Sequence, residues 1–441
     1  MTTKSARRSL RRRPSGRLAH AALALCMAAG LGLGASACSS SSSGGGSGSI
    51  TVYTYGDGST DIQQTAVNDF NKTSKVKVDL VVVPGSDYTP KLRAAMGSSA
   101  APDVFFNWGG GSILPYVQAG QLVNLTTYFN QAPLKGAFLP SIVSAGAVNG
   151  QDYGVPMRGM QPVILFYNKA LFAQYGLQTP DTWSAMQTAI TTFKAHGVIP
   201  FALGDSDNWP SLMWLEYLTD RIGGPSVFDT IQNGQTSGWS NPAMTTALTD
   251  IQSLIKEGAF GTSFTSTGYN DNAAPTLLGT GRAAMQLMGS WDYATLETIS
   301  ASFTANELGY VPFPAIEGGK GDPKNVSGNP TNYISMTTDA ARTTADDFLE
   351  TVYSDAYVLG LVKMGEVPVT TNTKSLLASS STPAYSNFLY DLVADAPSFT
   401  QSWDQALGPT LATPMLTEIQ KLFNGQDSPQ QFVSNVLAIK S

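Results

Sequence analysis

Three short stretches set a tryptophan among strongly hydrogen-bonding side chains. They are Asn107-Trp108-Gly109-Gly110-Gly111, Asp205-Ser206-Asp207-Asn208-Trp209 and Gly289-Ser290-Trp291-Asp292. An indole presents a flat apolar face, and neighbouring carboxylates and amides present acceptors and donors of fixed direction. Such groupings suit the gripping of a ligand. Groups that make and break bonds are scarce by contrast. Beyond Cys38 the chain has no cysteine and one histidine, His196. A thiol nucleophile, a zinc-ribbon cluster, a disulfide framework and a multi-histidine metal site are therefore all excluded from the body. A Ser-His-Asp hydrolase would have to use His196, which closes a helical pattern before Gly197 and is explained by that surface position. No metal and no cofactor is expected.

The elements that must position these groups can be read from hydrophobic periodicity. Ile50–Tyr55 alternates as a strand and stops at Gly56-Asp57-Gly58. Ile62, Ala66 and Phe70 recur at helical spacing, Val76–Val82 alternates again, Tyr88–Met96 reads as a short helix, and Asp103–Phe106 as a buried strand. Strand, helix, strand, helix, strand implies a parallel sheet with helices on its faces, and ligands in such sheets sit beyond the carboxyl ends of the strands. That puts Tyr55 and Asp57 on the same rim as Asn107 and Trp108. The middle of the body is mostly helical, with Trp183, Trp214 and Tyr217 on core-facing stripes. An apolar strand, Ala283–Met288, leads to Trp291, and another is expected near Tyr333–Met336. With 441 residues, 42% of them hydrophobic, the chain is long enough for more than one domain.

Charge divides the chain sharply. Residues 1–37 carry seven basic and no acidic side chains, leaving 19 basic against 32 acidic residues, a net charge of −13, in the remainder. An acidic body repels phosphate backbones, so no nucleic-acid partner is expected. A basic start, an apolar run Leu18–Gly34 and the small residues Ala35-Ser36-Ala37 have the anatomy of a secretory signal peptide, and with Cys38 they resemble a bacterial lipobox. Ala35 stands where leucine is usual. An uncleaved membrane anchor is the alternative, at about the minimum spanning length. Arg7-Arg8 lacks the phenylalanine context of twin-arginine export. The expectation is a leader over 1–37, lipidation at Cys38 and a flexible Ser/Gly tether over 38–49, holding the body at the extracellular face of the cytoplasmic membrane.

Five motifs in order resemble the extracellular solute-binding proteins of bacterial ABC sugar importers, the maltose-binding type: Ala101–Trp108, Gly120–Leu125, Tyr153–Pro156 with Phe166–Lys169, Thr179–Trp183, and Gly281–Met285 leading to Gly289–Asp292. The resemblance spans about residues 50–441. It implies an α/β, two-lobed periplasmic-binding-protein-like (type II) fold with a ligand cleft and hinge. It places chain crossings near 159–163, 278–284 and 329–334, with an N-terminal lobe of 50–160 plus 284–331 and a C-terminal lobe of 161–283 plus 332–441. It further implies a monomer that binds an oligosaccharide, delivers it to membrane permease subunits and carries no catalysis. Met157-Arg158-Gly159-Met160-Gln161-Pro162 looks most like proteins for plant-polysaccharide fragments such as xylobiose.

A sugar offers hydroxyls in fixed directions and patches of C–H surface, so a few placed polar groups and aromatic faces must hold it. The expected ligand set is Tyr55, Asp57, Asn107, Trp108, Arg158, Asp205, Trp209, Trp291, Asp292 and Asn329. Several have a structural alternative. Trp108 could cap the core beneath its loop, one of the polar side chains of Asp205-Ser206-Asp207-Asn208 could cap the helix that follows, Asp292 could cap the next turn, and Arg158 could form a hinge salt bridge. Two rival functions share the composition. The same fold could bind a non-sugar solute. A secreted glycoside hydrolase needs only two suitably spaced carboxylates, although a two-lobed body of this length leaves no room for a separate catalytic domain.

Overall fold

Strand β1, Ile50–Gly56, buries Ile50, Val52 and Thr54 on one face and leaves the alternate residues part-exposed, as its sequence alternation predicts. It lies inside the first sheet, parallel to the edge strand β2 (Val78–Pro84) on one side and to the central β3 (Val104–Asn107) on the other. The computed structural model describes residues 49–340 and 342–439. The expected leader, Cys38 and the tether up to Gly48 lie outside the described residues. Between β1 and β3 run the helices Thr60–Thr73 and Gly85–Met96. The sheet is completed by β4 (Val155–Pro156) and by β10 (Tyr333–Met336), which pairs antiparallel with both β3 and β4.

A second sheet is organised around β5 (Gln161–Asn168). Beyond β7 (Ala283–Gly289), antiparallel to β5, comes β6 (Ile199–Ala202), parallel to β7. Along its other edge β5 pairs antiparallel with β8 (Leu308–Val311) and β9 (Val326–Asn329), and β9 carries β11 (Phe399–Gln401) in parallel. Every residue of β7 is buried, so the uninterrupted apolar run Ala283–Met288 is covered on both faces. The helices Trp183–Ala195, Trp209–Gly223 and Pro242–Glu257 pack this lobe. Trp214 and Tyr217 are buried within it, Trp183 is half-buried against Phe313, and the exposed ring of His196 stacks on Tyr175 at 4.3 Å.

This topology corrects the expected partition of the chain. Segment 284–331, placed above with the first lobe, supplies β7, β8 and β9 to the second sheet. Segment 332–441 does not belong wholly to the second lobe, because β10 completes the first sheet and the helix Asp355–Lys363 packs on Thr60–Thr73. The chain passes between sheets at 157–161 and again at 329–333, but not at 278–284. It returns to the second lobe before the helix Pro383–Ala394, whose Tyr385 donates to the Ser290 carbonyl at 2.6 Å. An apolar buried strand fits either sheet equally well, and the antiparallel pairing of β7 with β5 is a long-range choice that periodicity does not report.

Candidate ligand-binding cleft

The carboxyl ends of β1 and β3 meet at one rim because the strands are parallel and adjacent. There Tyr55, Phe106 and Trp108 form an aromatic wall. Tyr55 stacks on Phe106 at 5.4 Å, and Trp108 meets both rings edge-on at 5.7 and 5.1 Å. Asn107 is buried beside them, but its amide holds the turn: Nδ2 donates to Ser335 Oγ at 2.8 Å and Oδ1 accepts from the Gly109 N–H at 2.8 Å. A chain of side chains fixes Asp57. Thr54 Oγ1 donates to Gln63, whose Nε2 donates to Ser59 Oγ at 2.9 Å, and Ser59 donates through Oγ (2.8 Å) and N–H (2.9 Å) to Asp57 Oδ1.

The facing wall comes from the second lobe. Trp209 follows Asn208, a non-glycine residue with φ of +56°, a backbone state asparagine tolerates better than most. Its ring meets Tyr269 edge-on at 5.0 Å and lies 6.1 Å from Trp291. Trp291 Nε1 donates to the Tyr269 hydroxyl at 2.8 Å, and that hydroxyl donates to Asp292 Oδ1 at 3.0 Å. Asp207 ties the two supporting loops together by accepting from the Tyr269 and Asn270 backbone N–H groups at 2.6 and 2.9 Å.

Between the walls lies a cleft of about 770 Å³, within the size range of small-molecule sites. Seven of the ten expected residues line it: Tyr55, Asp57, Asn107, Trp108, Trp209, Trp291 and Asn329. The other three do not, and each has a structural role. Asp292 is fully buried behind Tyr269, and desolvation pushes its pKa up to about 7 despite the Tyr269 hydrogen bond. Asp205 is also buried and accepts from Ser211 Oγ at 2.6 Å in the first turn of the following helix; burial pushes it up to about 6. Arg158 forms the hinge salt bridge. Nη1 donates to Asp57 Oδ2 at 2.8 Å, while Nε and Nη2 grip Glu366, which also accepts from the Gly159 N–H at 2.8 Å. Burial works to lower the guanidinium pKa, but Glu366 and Asp57 together raise it.

Sequence reasoning missed part of the site. Gln161 opens β5 at one crossing and accepts from Asn329 Nδ2 at 2.6 Å, while Asn332 lines the cleft just beyond β9. Asp404 and Gln405 project from the helical turn Trp403–Ala406. Glu216 Oε1 pins that turn by accepting from Ser402 Oγ and the Trp403 N–H, both at 2.7 Å; burial pushes Glu216 up to about 8. Burial likewise raises Asp404. Three buried acceptors among the lining residues have no protein partner: Asn329 Oδ1, Asp404 Oδ1 and Gln405 Oε1. An unpaired buried acceptor is costly, and a donating hydroxyl group relieves that cost. The available sequence signal was the pair Trp403-Asp404, the same dipeptide that marked Trp291-Asp292.

A two-lobed α/β body with an aromatic cleft between its sheets defines a solute-binding architecture. Residues 56–358 match the family model described as bacterial extracellular solute-binding protein. The chain belongs to this family. It is 26% identical over 234 residues to an uncharacterized ABC transporter extracellular-binding protein of Pyrococcus horikoshii, covering 51% of this chain and 50% of the relative. A glucose-binding protein of Saccharolobus solfataricus is 25% identical over 252 residues, covering 54% of this chain and 44% of the relative. The chain spans about half the length of the curated relatives it matches. Among solved structures, one from work on xylan utilization by the thermophilic bacterium Caldanaerobius polysaccharolyticus shares 27% identity with a TM-score of 0.76, covering 88% of this chain and 98% of that one. A chitin oligosaccharide binding protein shares the fold at 23% identity and a TM-score of 0.75, covering 88% and 97%.

Proposed function

We propose that this protein is the solute-capturing component of an ABC importer, that its solute is a neutral di- or oligosaccharide, and that it binds without catalysis. The observation carrying this reading is the pairing of aromatic walls on opposite lobes, Trp108 against Trp209 and Trp291, with unpartnered buried acceptors between them. Aromatic faces cover the C–H surface of a sugar ring, and Asn329, Asp404 and Gln405 accept its hydroxyls. Because the walls belong to different lobes, a bound ligand favours the closed arrangement through contacts that an open one lacks. The relatives support the class: a glucose-binding protein is among them, and a structural neighbour comes from work on xylan utilization. Together with the wording of Met157–Pro162, the latter favours a xylobiose-like ligand. A lipid anchor at Cys38 on the extracellular face of the membrane, and delivery to permease subunits by a monomer, belong to the same proposal.

Calorimetric titration of residues 50–441 with xylo-, malto-, cello- and chito-oligosaccharides tests it. One saturable heat, with the sugar recovered intact, is expected. Flat traces on folded protein would move non-sugar solutes to the front, and shortened sugars would make the protein a hydrolase.

A further inference from the structure

The space between the lobes continues past the ligand cleft. Asp57, Gln161 and Trp291 line the cleft, and the same three residues line a neighbouring cavity of about 370 Å³. Behind Trp108 the two lobes meet backbone to backbone, at glycines outside the cleft lining. Gly110 and Gly111 lie against Gln401 and Leu407, and a Cβ on Gly111 would meet the Leu407 carbonyl carbon and oxygen at 2.4 Å. Gln401 Nε2 also donates to the Trp108 carbonyl across this contact. A linear ligand seated between Trp108 and Trp291 has room to lengthen past Trp291.

We infer that the neighbouring cavity is an extension subsite for the further rings of a neutral saccharide chain; this rests on the sugar reading proposed above. Its surface has the required chemistry. Tyr293 is half-buried and stacks on Tyr385 at 4.3 Å and 22°, and the Tyr385 hydroxyl is anchored on the Ser290 carbonyl, so the pair forms a supported aromatic plate. Ser381 and Thr382 bring hydroxyls to the same cavity, and both remain at least partly exposed. The one guanidinium lining the cavity, Arg158, already bonds Glu366 and Asp57, so it offers no free fork to an anion. Stacking surface with hydroxyls suits a sugar ring, and the absence of an available cation, with Glu297 also lining the cavity, disfavours an anion.

The test is titration of residues 50–441, which contain both sheets and their cores, with di-, tri-, tetra- and hexasaccharides of the xylo-, malto-, cello- and chito- series. The wild-type protein, Ser381→Trp and Tyr293→Ala are compared, with thermal unfolding as the check on folding. Ser381 is exposed, so the added indole fills the cavity without entering the core. In the wild type, affinity is expected to rise about five- to tenfold from di- to tetrasaccharide of the bound series. Both variants should abolish that rise while still binding the disaccharide. Equal affinity at every length in the wild type, or a length dependence that neither variant changes, overturns the subsite alone. Absence of heat from every series at every length overturns the sugar reading, and the subsite with it.

Discussion

Trp291-Asp292 and Trp403-Asp404 are the same dipeptide on the same lobe, and they face opposite ways. At the first, the tryptophan lines the cleft and the aspartate is fully buried behind it. At the second, Trp403 is buried, stacked on Phe228 at 4.6 Å and nearly parallel, while Asp404 reaches the cleft. The supporting carboxylates differ correspondingly. Asp292 holds Trp291 indirectly, through the Tyr269 hydroxyl, whereas Glu216 holds the backbone of the Trp403 turn directly. Each arrangement buries one acid without a cation; Asp292 orients Tyr269, which lines the cleft, and Glu216 holds the turn that presents Asp404 and Gln405 to it. The difference teaches that a tryptophan beside an aspartate marks proximity to the cleft, and that the packing behind it decides which of the two lines it.

Truncating the two tryptophans should separate the two roles most sharply. Trp403→Ala empties a buried site and is expected to cost about 3–5 kcal/mol of stability, read as a lowered denaturation midpoint. Trp291→Ala should leave that midpoint nearly unchanged and weaken sugar binding about thirtyfold, as loss of a central aromatic contact of about 2 kcal/mol implies. Equal stability losses at both positions would break the comparison.

The aspartates should behave in the reverse sense. Asp404→Ala removes an unpartnered acceptor in the cleft, and the calorimetric affinity is expected to fall about tenfold. Asp292→Asn keeps an acceptor for Tyr269 and should barely change affinity, but it should change the pH dependence of stability. In the folded protein Asp292 holds its proton up to about pH 7, whereas the unfolded chain releases it near the ordinary carboxylate value. Between those limits the folded state binds more protons, so its stability falls as pH rises. Thermal melts should show the wild type losing stability from about pH 4 to 7, with a shallower slope in Asp292→Asn. A slope unchanged by the substitution would remove the contrast between the two acids. The smallest effect concerns salt: binding of a neutral sugar should shift by less than about twofold between low and high ionic strength, because no ligand charge is there to screen.

Periodicity alone located β1, β3, β7 and β10 to within a residue or two, and the parallel neighbours β1 and β3 brought Tyr55 and Trp108 to one rim as expected. These are local properties: alternation, turn residues and strand order within a contiguous βαβ stretch. Trp209 was legible because it stands among Asp205, Asp207 and Asn208, a local cluster of polar side chains. Tyr269 and Gln405 stand in segments whose local pattern resembles many surface turns, and they reach the cleft through Asp207 and Glu216, which are distant in sequence. Arg158 was readable as either a ligand-binding fork or a hinge ion pair until Glu366, 208 residues away, was found to hold it. The sequence by itself determined the stock of chemistry: aromatic faces and acceptors, a body without cysteine and with one histidine, and strands that end in turns. Tertiary structure decided which sheet β7 joined, which member of each Trp-Asp pair lines the cleft and where the cleft continues. Those outcomes depend on long-range pairing and desolvation, which no local window of residues contains.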